Sequence, residues 1–223
     1  MQNIGQVISR SSTSVLSTNK VIRNTYMLLS LTLLFSAVMA AVSMSVGISQ
    51  TASLFCTLGA IGLLWFVLPR FENSAGGLVV VFAFAGLMGL GLGPLISYYL
   101  AAPGGAKIVT TALGGTGAIF LGLSGYALTT RKDFSFMGGF LFVGILVAFL
   151  AGLGALIFSL PTLSLAVSAM FILLMSGYIL FQTSAMIHGG ETNYIMATIS
   201  LYIAIYNLFL SLLNILAAFS GRR

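Results

Sequence analysis

Seven long stretches of this chain carry almost no charge, and each approaches or exceeds the length needed to cross a bilayer. They run Tyr26–Ile48, Ala52–Leu68, Gly77–Leu100, Ile108–Thr129, Phe136–Ser159, Leu163–Ile187 and Tyr194–Phe219. A helix rises about 1.5 Å per residue, so about 20 mostly apolar residues cross a hydrocarbon core about 30 Å thick. Hydrocarbon offers no hydrogen-bond partner to the backbone, so a spanning segment of this kind satisfies itself as a helix. The breaks between the runs are short and hold turn-forming or charged residues: Ser49-Gln50, Pro69-Arg70-Phe71-Glu72-Asn73, Pro103-Gly104-Gly105, Arg131-Lys132-Asp133, Leu160-Pro161-Thr162 and His188-Gly189-Gly190-Glu191. The expected fold is therefore an all-α membrane protein, a bundle of seven transmembrane helices over residues 25–221. A polar, flexible tail over residues 1–24 precedes it. The first twenty residues are polar and Ser/Thr-rich, unlike a cleavable signal peptide, so the first apolar run is expected to stay as an anchor.

Composition agrees. Charged residues make up 5% of the chain and mean hydropathy is +1.11, whereas a soluble domain carries about 25% charged residues. The formal net charge of +6 does not point to nucleic acid, because the basic residues lie in tails and loops and form no stripe. There they set orientation. With the N-terminus in the cytoplasm, the inner segments hold Arg10, Lys20, Arg23, Arg70, Arg131 and Lys132, and the outer ones Lys107, Arg222 and Arg223. Seven spans then place the C-terminus outside. The Arg222-Arg223 pair pulls the other way, toward a six-span alternative. Cys56 is the single cysteine, sits in an apolar run and reads as a small buried hydrophobe.

The last apolar run carries the clearest pattern. Ala197, Ser200, Ala204, Asn207, Ser211, Asn214 and Ala218 follow at spacings of three and four, which puts them on one helix face. Small and amide residues let spanning helices approach closely and hydrogen-bond across the contact. This helix is expected at the centre of the bundle. A shorter seam of Ser36, Ala40, Ser43 and Gly47 marks the first run. Gly89, Gly91 and Gly93 mark the third, where Pro94 is expected to bend the helix.

Ionisable groups at membrane depth usually point to function, and here they are missing. Glu72, Asp133 and Glu191 all fall in loops, which disfavours a proton- or ion-coupled pump. Lys20, Lys107 and Lys132 lie outside the runs, which removes a retinal Schiff base. The intramembrane polar groups of note are Gln182, Tyr202 and Tyr206, with Gln182 expected to hydrogen-bond to the Asn207 seam. Gly122-Leu123-Ser124-Gly125 with His188 would suit an intramembrane serine protease, but the motif is weak in a chain with 26 glycines. His188 to Asn193 reads as a helix stop and a helix start, with the glycines ending one helix and Thr192 or Asn193 capping the next. His188 and Glu191 alone make a poor metal site. No catalytic group, metal or cofactor is expected.

The stretch Gly189-Gly190-Glu191-Thr192-Asn193-Tyr194-Ile195, with Leu201-Tyr202 and Tyr206-Asn207-Leu208-Phe209, resembles the signature of the Bax inhibitor family of seven-helix membrane proteins. Leu16-Ser17-Thr18-Asn19-Lys20-Val21 with Arg23-Asn24-Thr25-Tyr26, and Leu128-Thr129-Thr130-Arg131-Lys132-Asp133 with Ser135-Phe136, are similar to its bacterial branch of FtsH modulators. The resemblance covers nearly the whole chain after about residue 14. It implies six helices around a central seventh. It also implies an inner-membrane, substrate-like inhibitor of the AAA protease FtsH that associates with the protease and its HflK/HflC partners. The tail, with Met1, Gln2, Asn3, Arg10, Ser11 and Ser17, would be the element the protease grips. The cytoplasmic loop residues Arg131, Lys132, Asp133, His188 and Glu191 would lie on the same side. The wider family also implies a pH-gated calcium leak controlled by two buried acids. Gln182 and Ala204 stand at those positions here. Glutamine does not ionise, which speaks against that activity.

Overall fold

The computed structural model describes the backbone of residues 2–221 and the side chains of residues 18–221. Seven helices are long and apolar enough to cross a membrane. The first, α1, is Gln2–Val46, with its candidate span at Thr18–Val46; α2 is Gln50–Phe71, α3 Gly76–Leu100, α4 Gly105–Thr130, α5 Ser135–Ile157, α6 Pro161–His188 and α7 Tyr194–Ser220. Among the described residues there is no strand. The helical backbone of α1 reaches back into the segment read as a tail, and Val21 and Ile22 already pack against the main core. Met1 and the side chains of Gln2, Asn3, Arg10, Ser11 and Ser17 lie outside the described residues.

The helices sort into inner and outer ones. Half of the apolar window of α3 and of α7 is buried, against 17% for α2 and α5. Helix α7 packs against α1, α3, α4 and α6, while α2 rests on α3 and α5 on α6. Four helices thus set their backbones against α7, α2 shares with it the cluster that holds Leu68, Ile195 and Ile199, and α5 is backed by α6. The main core joins Leu29 of α1, Phe84 and Met88 of α3, Ile179 of α6 and Leu201, Tyr202 and Leu208 of α7.

The two small-residue seams of α1 and α3 face each other, and that explains why α3 is as buried as α7. A Cβ placed on Gly89 would strike the Ser36 carbonyl oxygen, and one on Gly93 would strike the Ser43 side chain. The same contact resolves Pro94. Helix α3 continues through it, although proline has no N–H for the carbonyl four residues earlier. That carbonyl belongs to Leu90, and the Ser43 hydroxyl donates to it at 2.7 Å. Ser53 of α2 likewise donates to the Gly91 carbonyl at 2.5 Å. Hydroxyls from two neighbouring helices thus bond the backbone around the proline, as a low-dielectric surrounding requires.

Candidate functional site

The bundle end at which α1 begins its span also carries the α2–α3, α4–α5 and α6–α7 connections, and hydrogen bonds tie these together. Gly189, in the left-handed region at φ 79°, ends α6; that conformation costs a glycine little. Asn193 then starts α7, its Oδ1 accepting from the N–H groups of Ile195 and Met196 at 2.9 and 3.4 Å. Of the two expected caps, Asn193 is the one used. Its Nδ2 donates across the surface to the Glu72 carbonyl at 3.0 Å and to Asn73 Oδ1 at 3.3 Å. One side chain therefore caps a helix and fastens the α2–α3 connection to it. Glu191 Oε1 accepts from the Asn193 N–H at 2.8 Å, which braces the same turn.

The α4–α5 connection is held from α6. The Ser184 hydroxyl donates to the Lys132 carbonyl at 3.2 Å and accepts from the Phe134 N–H at 2.9 Å. Arg131 ends α4 at φ 49°. Asp133 Oδ1 accepts from the Ser135 N–H at 2.8 Å. That backbone bond, with a weaker one to the Ser135 side chain and the nearby His188, holds the Asp133 carboxyl below the usual carboxylate range. The Nδ1 of His188 lies 3.0 Å from the Ser184 carbonyl oxygen. Between these parts is a polar pocket of about 490 Å³, lined by Thr18 and Asn19 at the root of α1, by Arg131, and by His188 and Gly189. Of the loop residues singled out in the sequence, Arg131 and His188 line this pocket beside the root of α1, while Glu191 braces the turn before α7.

Ser124 and His188 do not form a catalytic pair. The Ser124 hydroxyl is buried with no hydrogen-bond partner, while His188 Nδ1 is turned to Ser184. Among the described residues no group of three His, Cys, Asp or Glu side chains comes together.

The seam of α7 has two uses. Asn214 Nδ2 donates to Ser168 Oγ at 2.8 Å and Ser164 Oγ at 3.2 Å, both on α6. Ala197, Ala204 and Ser211 are buried, and Ala218 is half-buried near the far end. Ser200, Ala204 and Asn207 instead border a cavity. Asn207 donates to the Ile203 carbonyl of its own helix at 2.9 Å. The expected bond from Gln182 to the Asn207 seam is not made: Gln182 is buried and its Nε2 has no partner. Asn207 is instead satisfied within its own helix.

Tyr202 has the role that sequence alone did not assign. Its hydroxyl meets Ser36 Oγ of α1 at 2.6 Å, its ring stands edge-on to Phe84 of α3, and it stacks with Tyr206 at 18°. One α7 side chain thus locks the first and third spans to the last. Two further ties hold α1. Tyr26 meets Thr183 of α6 at 3.1 Å, and Thr198 of α7 lies 3.4 Å from the Thr25 carbonyl oxygen. The spacing of Ser36 within its seam was a visible signal; that its partner would be Tyr202 was not.

Comparison with known proteins places this architecture. A family model described as "Inhibitor of apoptosis-promoting Bax1" matches residues 18–221. The chain belongs to the Bax inhibitor family. Among similar proteins, the modulator of FtsH protease YccA of Escherichia coli K12 is 49% identical over 208 residues, covering 93% of this chain and 94% of its own. A Vibrio cholerae membrane protein is 51% identical over 201 residues, and a Pseudomonas aeruginosa protein 50% over the same length, each covering 90% of both chains. The matched region of the family model takes in all seven candidate spans.

Proposed function

We propose that this chain is a multi-pass inner-membrane modulator of the AAA protease FtsH. It acts as a substrate-like inhibitor: the protease grips the N-terminal segment Met1–Ser17 and meets a bundle that resists extraction. The single observation that carries this reading is the near full-length similarity to a protein named as a modulator of FtsH protease. The bundle's construction supports the second half. A protease pulling on residues 1–17 would first have to strip out α1. That helix has polar ties to α3, α6 and α7 through Ser43, Tyr26, Thr25 and Ser36, and breaking such bonds in a dry interior leaves unpaired polar groups. The orientation that serves this function puts the N-terminus and the polar pocket in the cytoplasm and the C-terminus in the periplasm. Association with HflK/HflC belongs to the same proposal. Gln182 and Ala204 supply no buried carboxylate, so a proton-gated cation leak is not the reading favoured.

The test is co-purification from membranes. FtsH is expected to co-purify with the intact chain and to be lost when residues 1–17 are deleted, with inhibition lost in parallel. Unchanged binding and inhibition after the deletion would refute tail engagement. Failure of the intact chain to retain FtsH would refute the modulator reading itself.

A further inference from the structure

The backbones of α2 and α5 both stand away from that of α7 and from each other, and the space between them is a cavity of about 800 Å³. Its walls include Leu64 of α2 and Phe142 and Phe149 of α5, and its floor is Ser200, Ala204 and Asn207 of α7. The volume falls within the range of about 300–1,000 Å³ usual for small-ligand sites. The small floor residues create the room. The lining is aliphatic and aromatic except for hydroxyls and the Asn207 amide.

We propose that this cavity is a lateral binding site for an acyl chain of a membrane lipid, entering between α2 and α5 and reaching the middle of α7. The position selects the occupant. The two flanking helices are membrane spans whose outward faces carry large exposed apolar side chains, such as Phe55 and Trp65 on α2 and Phe140 on α5. An opening between them meets hydrocarbon. Water is a poor filler for an apolar cavity. A whole spanning helix, about 10 Å across and 30 Å long, needs on the order of 2,000 Å³ and does not fit. A flexible chain does. At the floor, Asn207 donates an amide hydrogen to the Ile203 carbonyl of its own helix, which lowers the polarity that it presents to the chain. The site lies apart from the loop end to which the protease reading assigns a partner, and does not depend on that reading.

The experiment uses the full chain in vesicles of phosphatidylethanolamine and phosphatidylglycerol doped with a phospholipid carrying a diazirine in mid-chain. After illumination, cross-linked peptides are mapped. Adducts on the α7 floor between Ser200 and Asn207 are expected alongside adducts on outward residues such as Phe140. A Ser200→Phe variant, which fills the floor, is expected to lose at least about nine-tenths of the α7 adducts and keep the outward ones. In parallel, a Ser200→Cys variant is expected to remain unlabelled by a water-soluble maleimide. Adducts confined to outward faces in the unmodified chain, or maleimide labelling of Ser200→Cys beyond that of the parent carrying only Cys56, would overturn the proposal. The mapping of the unmodified chain decides the matter even where Ser200→Phe fails to fold.

Discussion

Gly89→Ala adds one methyl group where α3 lies directly against the backbone of α1. In an open helix the change stabilises by up to about 1 kcal/mol, because alanine is the better helix former. Here the new Cβ falls on the Ser36 carbonyl oxygen and 3.0 Å from Met39 Cβ. The obstacle is backbone, so α1 and α3 must separate rather than a side chain rotate. Overpacking of this kind costs about 1–3 kcal/mol. Separation also stretches the bond from Ser43 to the Leu90 carbonyl, where loss of a typical hydrogen bond costs about 1 kcal/mol more. Propensity offsets one of these and not both, so the net destabilisation is about 1–3 kcal/mol. Gly117 and Gly122 of α4 are internal controls, since a Cβ at either meets nothing within 4 Å. The assay is thermal unfolding in detergent and SDS-driven unfolding in mixed micelles, followed by near-ultraviolet circular dichroism. At about 2–4 °C per kcal/mol for a chain of this size, Gly89→Ala is expected to lower the midpoint by roughly 2–12 °C. Gly117→Ala and Gly122→Ala should leave it unchanged or raise it. A Gly89→Ala midpoint at or above the parent's, or control variants that fall as far, would refute the close-contact argument.

Other outcomes follow from the same contacts. Tyr202→Phe and Ser36→Ala should each lower stability by about 1–2 kcal/mol, and the double variant by less than their sum; strict additivity would show that the 2.6 Å bond is not made. Asn193→Ala removes a helix cap together with the tie to Glu72, and a loss of about 1–2 kcal/mol is expected by the same unfolding assay. If resistance to extraction is the mode of action, combining Tyr26→Phe, Ser36→Ala and Ser43→Ala should raise the rate at which FtsH degrades the chain in cells, and an unchanged half-life would count against it. Because the Asp133 carboxyl is held below the ordinary carboxylate value in the folded state, its bond to Ser135 should persist as pH falls through about 4. Its stabilising contribution should disappear only as pH falls through the lower folded value. The Ser135 amide chemical shift followed between pH 6 and pH 2 reads this directly, and a midpoint at or above the ordinary value would refute it.

The sequence by itself determined that the chain is a bundle of seven spanning helices, because length, apolarity and missing charge leave the backbone no other way to satisfy itself in lipid. It also located the surfaces of close approach. Gly89 and Gly93, Ser36 and Ser43, and the α7 seam all stand at contacts or at the cavity floor, since helical periodicity puts small residues on one face whatever the neighbour is. Periodicity does not name that neighbour. The pairing of α1 with α3, the bond of Tyr202 to Ser36, and the use of Ser43 to satisfy the carbonyl freed by Pro94 join residues far apart in the chain. They exist because particular faces meet. The unpartnered Gln182, the polar pocket at the root of α1 and the cavity between α2 and α5 are also products of that packing. Four helices set their backbones against α7 and two do not, and only the tertiary arrangement decides which two.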